Sequence, residues 1–182
     1  MLDVGGVPLL VRVYRNLTSG VQVREIALAC NAARSAELGA LLPIPIVVDR
    51  WPRCGPLGGM LSGFDAMRAR RIFVAAGDAP FVDAALMQRL VAAWEDGDEC
   101  VVPQTGAAGL SRLEPLAALY DRAAFLREGH AVLREGQAAV VGVIERLRTR
   151  TITTENARTF TNVNTPAEYG ALSGPLPRHT EA

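Results

Sequence analysis

The sequence is short of the side chains that usually do nucleophilic or metal chemistry. Its three cysteines, Cys30, Cys54 and Cys100, are isolated and lack CxxC spacing. An odd, scattered set argues against both a disulfide framework and a cysteine zinc site, so these read as reduced thiols. Only two histidines occur. His130 lies in a helical stretch and His179 in the tail, and neither joins a visible triad or metal cluster. No GxSxG elbow, GxxxxGK[ST] loop or GxGxxG turn is present. The nucleophile of α/β-hydrolases, the P-loop phosphate grip and the dinucleotide fingerprint are thereby removed. Net charge is also lacking, with 19 basic residues balancing 19 acidic ones. Such a balance does not point to nucleic acid or to a membrane surface as partner. Apolar runs such as residues 41–48 are far too short to span a bilayer. Asp3, Arg12 and Arg15 interrupt the first seventeen residues, which do not read as a secretory signal. Cytoplasm is the default expectation.

What is present fits one folded domain. The chain has 182 residues, 49% apolar and 21% charged, enough to bury a real core. Residues 1–172 read as one domain and 173–182 as a frayed tail. Short β-type runs alternate with helical ones. Leu9, Leu10, Val13 and Leu17 have helical spacing over 8–19, and Gly20 stops that helix. EIALAC at 25–30, IPIVV at 44–48, RIFVAA at 71–76 and 100–103 read as strands. Helices are expected over 32–38, 56–69, 84–94, 121–127 and 138–147. Asp83 caps the helix starting at Ala84. Residues 113–120 read as extended, 150–153 as a strand, and Pro166 as the start of a final short helix. This alternation implies βαβ units: an α/β fold, a mostly parallel sheet with helices on both faces. In such sheets ligands sit beyond the carboxyl ends of the strands.

The loops after the strands therefore hold the candidates. Asn31 follows the first strand, and its carboxamide can both donate and accept toward a base or ribose. It can equally cap the helix that follows. Asp49 ends the second strand. After it, Gly55, Pro56, Leu57, Gly58 and Gly59 open a helix. Proline suits that entry, whereas two glycines weaken a first turn by about 1 kcal/mol each relative to alanine. They suggest either a ligand close to free N–H groups or tight helix-on-sheet packing. Asp78, in GDAP at 77–80, ends the third strand. Its carboxylate suits Mg²⁺, which takes one or two carboxylates plus substrate phosphates; the plainer reading is a turn aspartate. Asn162 and Asn164 alternate in an extended segment before Thr165 and Pro166, with a helix cap at Thr165 as the structural reading.

GPLGG at 55–59, GDAP at 77–80 and TNVNTPAEY at 161–169, in that order, resemble the molybdenum cofactor guanylyltransferases. GGVPLL at 5–10 and NAAR at 31–34 resemble them too, so the likeness runs to about Leu172. GDAP is shared with many nucleotidyltransferases; GPLGG with NVNTP is more specific. The resemblance implies a Rossmann-like nucleotidyltransferase domain that joins GMP from GTP to molybdopterin with Mg²⁺ and releases pyrophosphate. It implies that Asn31 and Asp49 contact guanosine and Gly55 and Gly59 shape the nucleotide side. Asp78 would hold Mg²⁺, and Asn162 and Asn164 would face the pterin. Molybdopterin-handling proteins are the implied partners. A related transferase using CTP or another acceptor, and a non-catalytic binding protein, stay open beside this reading.

Two departures stand out. Members of the family often carry histidine where this chain has Glu114. They also begin with a strand and a loop of the type LAGGxSxRMGxxK, whose arginine and lysine neutralise the triphosphate. Neither occurs here, and Gly5 and Gly6 lie downstream of that lysine's place. The first, central strand is thus expected to be missing, leaving exposed strand edges. A start placed too late, a natural fragment, or a gap covered by the chain's own helix or a partner would each account for it.

Overall fold

The structure, a computed structural model, describes residues 3–4, 7–106, 111–154, 156–163, 165 and 168. Two short antiparallel strands, β1 (Asp3–Val4) and β2 (Val7–Pro8), lead into α1 (Leu9–Thr18). Proline at the entry and Gly20, at φ 70°, bracket that helix. β3 (Leu28–Cys30) follows, then a 3₁₀ turn (Ala32–Arg34), α2 (Ser35–Gly39) and β4 (Ile46–Val48). Next come α3 (Gly55–Ala66), β5 (Arg71–Phe73), α4 (Ala84–Ala93) and β6 (Cys100–Thr105). The chain continues through β7 (Arg112–Leu113), a 3₁₀ turn (Pro115–Ala117) and β8 (Leu119–Asp121). It then runs into α5 (Arg122–Arg134), α6 (Val140–Ile144), β9 (Thr149–Thr153) and a last 3₁₀ turn (Ala157–Phe160).

Helices cover both faces of the larger sheet, as expected, because its strands are apolar on both sides. Along β6, Cys100 and Val102 face α3, α5 and α6, meeting Leu57, Leu61, Phe64, Phe125 and Val143. Val101, between them, faces the opposite way and packs with Leu86 and Leu90 of α4. That is the two-residue period of a strand buried on both faces. A third cluster joins Leu10 of α1 to Leu38, Leu42, Leu28 and Cys30.

The mostly parallel sheet is not what is observed. β3 and β4 pair in parallel, and so do β6 and β9, each pair separated by helical crossovers. β8 runs antiparallel to both β5 and β6, and β7 antiparallel to β6. The reason lies in the connections. Gly106, at φ 98°, follows β6, and among the described residues no α-helix separates β6, β7 and β8. Without a helical crossover, adjacent strands return antiparallel.

The sheet is also broken. Among the described residues β3 bonds only to β4, and β5 only to β8, giving a two-stranded and a five-stranded sheet. Two helices cross the break. α3 places Gly59 and Gly63 over Ala29, where an added Cβ would lie 3.8 and 3.7 Å from the alanine methyl. The same helix packs Leu57 and Leu61 in the core of the larger sheet. α1 sets Leu10 beside Leu28 and Cys30, and also against Gly77 beyond β5, where a Cβ would stand 3.2 Å from Leu10 Cδ1. The Glu25 carboxylate ties the two sides below, accepting from Arg68 N and Ala69 N at 2.9 Å each. Among the described residues no helix is long and apolar enough to cross a membrane.

Candidate functional site

Parallel pairing of β3 and β4 brings their carboxyl ends together, and Asp49 N donates to Cys30 O at 2.8 Å. Asn31 and Asp49 are therefore neighbours. Asn31 is exposed, and its Oδ1 accepts from Arg34 N at 3.1 Å, so it does cap the turn behind it. Asp49 Oδ1 accepts from Trp51 N at 2.7 Å and lies 3.4 Å from Ser62 Oγ. That oxygen is used in folding the loop. Ser62, which sequence reasoning passed over, is buried; it donates to Gly58 O at 2.9 Å and accepts from Arg50 N at 3.0 Å. Arg50 is held in turn by Asp65 and lies 5.0 Å over the Trp51 ring.

The glycine-rich turn divides into different parts. Gly55 has φ 54°, a left-handed conformation that favours glycine at the start of α3. Pro56 occupies the first turn, where its missing N–H costs nothing. The Leu57 side chain is fully buried in the core, so only its backbone can meet a ligand. A Cβ on Gly58 would collide with the Trp51 carbonyl oxygen and stand 3.0 Å from Asp49 Oδ1. What approaches Gly58 is thus the chain's own loop. Gly59 faces Ala29 at ordinary contact distance.

Asp78 lies beyond β5, half-buried, on a turn closed by Ala79 N donating to Ala76 O at 3.2 Å. Among the described residues its carboxylate accepts no hydrogen bond and joins no ion pair. Its carbonyl accepts from Val163 N at 2.9 Å, which seats the Asn162 segment beside it. Val163 is buried and Asn162 exposed, so the asparagine faces outward from that anchor. Asn164 lies outside the described residues, as does the body of the helix expected from Pro166. At its start Thr165 N donates to Glu168 Oε2 and Glu168 N to Thr165 Oγ1, both at 3.1 Å, the reciprocal pair of a capping box.

Of the candidate residues, Pro56 and Asn162 line one cleft of about 220 Å³. Pro56 enters it from α3, Ala76 and Ala79 flank Asp78, and Asn162 and Phe160 close one side. Gly58, one turn along α3, touches the Asp49 loop, so the helix start links the Asn31–Asp49 pair to the cleft. Glu114 and Arg112 also line it, and sequence reasoning had noted Glu114 only as a departure from a histidine. Among the described residues no group of three or more histidine, cysteine, aspartate or glutamate side chains could hold a metal. A cation at Asp78 would therefore rest on one carboxylate plus oxygens brought by a ligand, the arrangement Mg²⁺ accepts.

The chain is similar to proteins of one family. A family profile described as the MobA-like NTP transferase domain matches residues 1–151. A molybdenum cofactor guanylyltransferase of Burkholderia ambifaria (strain MC40-6) is 33% identical over 173 residues, covering 92% of this chain and 83% of the relative. A probable molybdenum cofactor guanylyltransferase of Carboxydothermus hydrogenoformans is 25% identical over 180 residues, covering 94% and 85%. The crystal structure of molybdopterin-guanine dinucleotide biosynthesis protein A from Archaeoglobus fulgidus matches with a TM-score of 0.73 at 21% identity, over 93% of this chain and 86% of that one. That of 4-diphosphocytidyl-2C-methyl-D-erythritol synthase from Anaerococcus prevotii matches with a TM-score of 0.75 at 13% identity, over 91% and 84%. The two structures show a shared nucleotidyltransferase-like fold. With the profile spanning most of its length, and a third of its positions shared with a guanylyltransferase across nine-tenths of it, this chain belongs to the MobA-like NTP transferase family and is a nucleotidyltransferase.

Proposed function

We propose that the protein transfers GMP from GTP to molybdopterin, forming the guanine dinucleotide of the molybdenum cofactor and pyrophosphate. A phosphate oxygen of molybdopterin attacks the α-phosphorus of GTP, and the bond to the β-phosphate oxygen breaks as pyrophosphate leaves. Such a reaction needs alignment and charge neutralisation rather than a protein nucleophile. The arrangement suits that chemistry, and among the described residues no Ser–His pair stands at it. Asp78 carries the reading: its half-buried carboxylate has no protein partner among the described residues, and its turn lines the cleft through Ala76 and Ala79. Mg²⁺, when bound there with the substrate phosphates, would supply the neutralising charge. Asn31 and Asp49 Oδ2 would read the guanosine, and free N–H groups at the start of α3 would face its phosphates. Asn162 would face the acceptor, together with Asn164, and the names of the relatives support the choice of substrates.

The test is transfer with GTP, Mg²⁺ and molybdopterin, read as dinucleotide by mass spectrometry and as released pyrophosphate. Asp78→Asn should lower turnover about 100-fold or more, the order seen when a transition-state charge partner is removed. The melting temperature should not move, because no described group bonds that carboxylate. Turnover surviving the change would reject Asp78 as the metal residue. Competition among the four nucleoside triphosphates should favour GTP; a preference for CTP would reject the base assignment.

A further inference from the structure

Glu114 stands where the family often has histidine, and the structure places it in the cleft wall rather than on open surface. Its position is fixed from both sides. Glu114 N donates to Pro103 O at 2.9 Å, and Ala117 N donates back to Glu114 O at 3.0 Å. The side chain is only 13% exposed. Buried Thr105 donates its hydroxyl to Glu114 Oε1 at 3.1 Å, and Arg112 Nε lies 3.7 Å from the same oxygen. Oε2 accepts no hydrogen bond among the described residues. An ionised carboxylate has about four acceptor positions, so most of this one's capacity is unused inside a recess. Oε2 is not sealed from solvent, so it is open to the cleft and available to a ligand's donors.

The surroundings say what shape that partner has. Pro56, Ala79, Val82, Val140 and Phe160 give the cleft apolar walls, with Glu114 and Asn162 as the polar features used here. At about 220 Å³ it falls below the ~300–1,000 Å³ of sites for whole drug-sized ligands, so it suits one ring system. A flat, apolar-faced ring that presents two adjacent N–H donors at its edge satisfies both the walls and the carboxylate. A 2-amino-4-oxopteridine has that edge, in its N3–H and 2-amino group; guanine has the same pair.

We propose that Glu114 reads the donor–donor edge of the pterin ring of the acceptor, making the cleft between α3, the Asp78 turn and the Pro115–Ala117 turn the pterin pocket. The proposal rests on the function above for the identity of the acceptor. Of the two rings that share this edge it commits to pterin, because the cleft contains Asn162 and lies across the start of α3 from the Asn31–Asp49 pair.

Binding of the simple pterin 6-hydroxymethylpterin, titrated by its own fluorescence to millimolar concentration, tests this without requiring turnover. Lumazine, the 2,4-dioxo analogue, replaces the 2-amino donor with an acceptor. The wild-type chain should prefer the pterin by about tenfold or more, the range of one or two charge-assisted hydrogen bonds. Glu114→Gln, which turns one acceptor into a donor at nearly constant shape, should collapse that preference to within about threefold. Equal binding of the two rings by the wild type needs no variant to interpret and would overturn the proposal. So would full pterin preference in Glu114→Gln, or no saturable pterin binding at all. Displacement of the pterin by GMP with the same dependence on Glu114 would assign the pocket to guanine and overturn the pterin reading. The transfer assay separates the two claims. Pterin preference intact without GMP transfer counts against the proposed function alone. Transfer intact with Glu114→Gln binding as wild type counts against Glu114 alone.

Discussion

Gly58 has the least room of the residues in the glycine-rich turn. Replacing it with alanine pushes a methyl into the Trp51 carbonyl, which is backbone and cannot swing aside. The loop that carries Asp49 would have to shift. Gly58→Ala should therefore cost about 1–3 kcal/mol, the usual penalty of overpacking. It should also weaken guanosine nucleotide binding, since Asp49 moves with the loop; urea unfolding and a GTP titration check both halves. Gly59→Ala, which meets only the Ala29 methyl at 3.8 Å, is the control that should leave stability nearly unchanged. The sequence marked both glycines but could not say what approaches them, because a ligand and the chain's own carbonyl demand the same bare Cα. Asn31 shows a similar overlap: one side-chain oxygen serves the cap while the amide stays in solvent. For Asp78 the sequence left a metal carboxylate and a turn aspartate side by side, and the structure shows a carboxylate with no hydrogen bond among the described residues. The place of Glu114 in the cleft wall was illegible, since it depends on Thr105, Pro103 and Phe160, none of which periodicity brings to it.

Helices were read to within a few residues, with α5 the exception, because spacing and caps are local. Asp83 accepts from Leu86 N at 2.9 Å as its position before Ala84 suggested, and α1 and α3 keep their bounds within three residues. The first three strands were read longer than they are, whereas β6 and β9 were read shorter. β3 starts at Leu28 rather than at Glu25, whose carboxylate is drawn aside to the Arg68 and Ala69 amides. The stretch expected to be extended over 113–120 contains a 3₁₀ turn, since Pro115 removes a ladder donor. Least legible was the hub that joins three elements across 28 to 49 positions. Glu99, ahead of β6, accepts from Arg148 N at 3.0 Å before β9 and from Arg127 Nη2 of α5 at 3.3 Å. The Arg148 amide, outweighing burial, and the Arg127 guanidinium hold the Glu99 carboxyl below the usual glutamate range. A carboxyl whose value is lowered by folding stabilises the fold at pH above its unfolded value, about 4.3, and loses that contribution as pH falls through the folded value. Stability from urea unfolding should thus be level above about pH 5 and decline below it. The gap between wild type and Glu99→Gln should narrow over the same descent; a gap that stays constant down to the folded value would reject the hub as a source of acid sensitivity.

Across the whole molecule the dominant feature is the break between the β3–β4 pair and the five-stranded sheet. α1 and α3, with the Glu25 clasp, cross it instead of backbone ladders. Local opening follows the smallest set of contacts that must be lost. Amides of β4 should therefore exchange with deuterium well before those of β6 and β8, which lie in the larger sheet and its buried core; equal protection would mean that the two sheets open as one unit. Sequence alternation carried the α/β class but not this division or the antiparallel pairings, because it reports on single elements and not on which edges meet.

Set against the proposed function, that break changes what binding means for this protein. The guanosine end of the nucleotide is assigned to Asn31 and Asp49 on the smaller sheet, and the phosphates and acceptor to Asp78 and Asn162 beside the larger one. Any molecule long enough to hold both ends is a staple across two pieces that share no strand. Its binding energy then adds directly to folding energy. A dinucleotide product would be gripped more firmly than either half alone, so the step that lets it go would set the pace of the cycle and invite a receiving protein to pull it free.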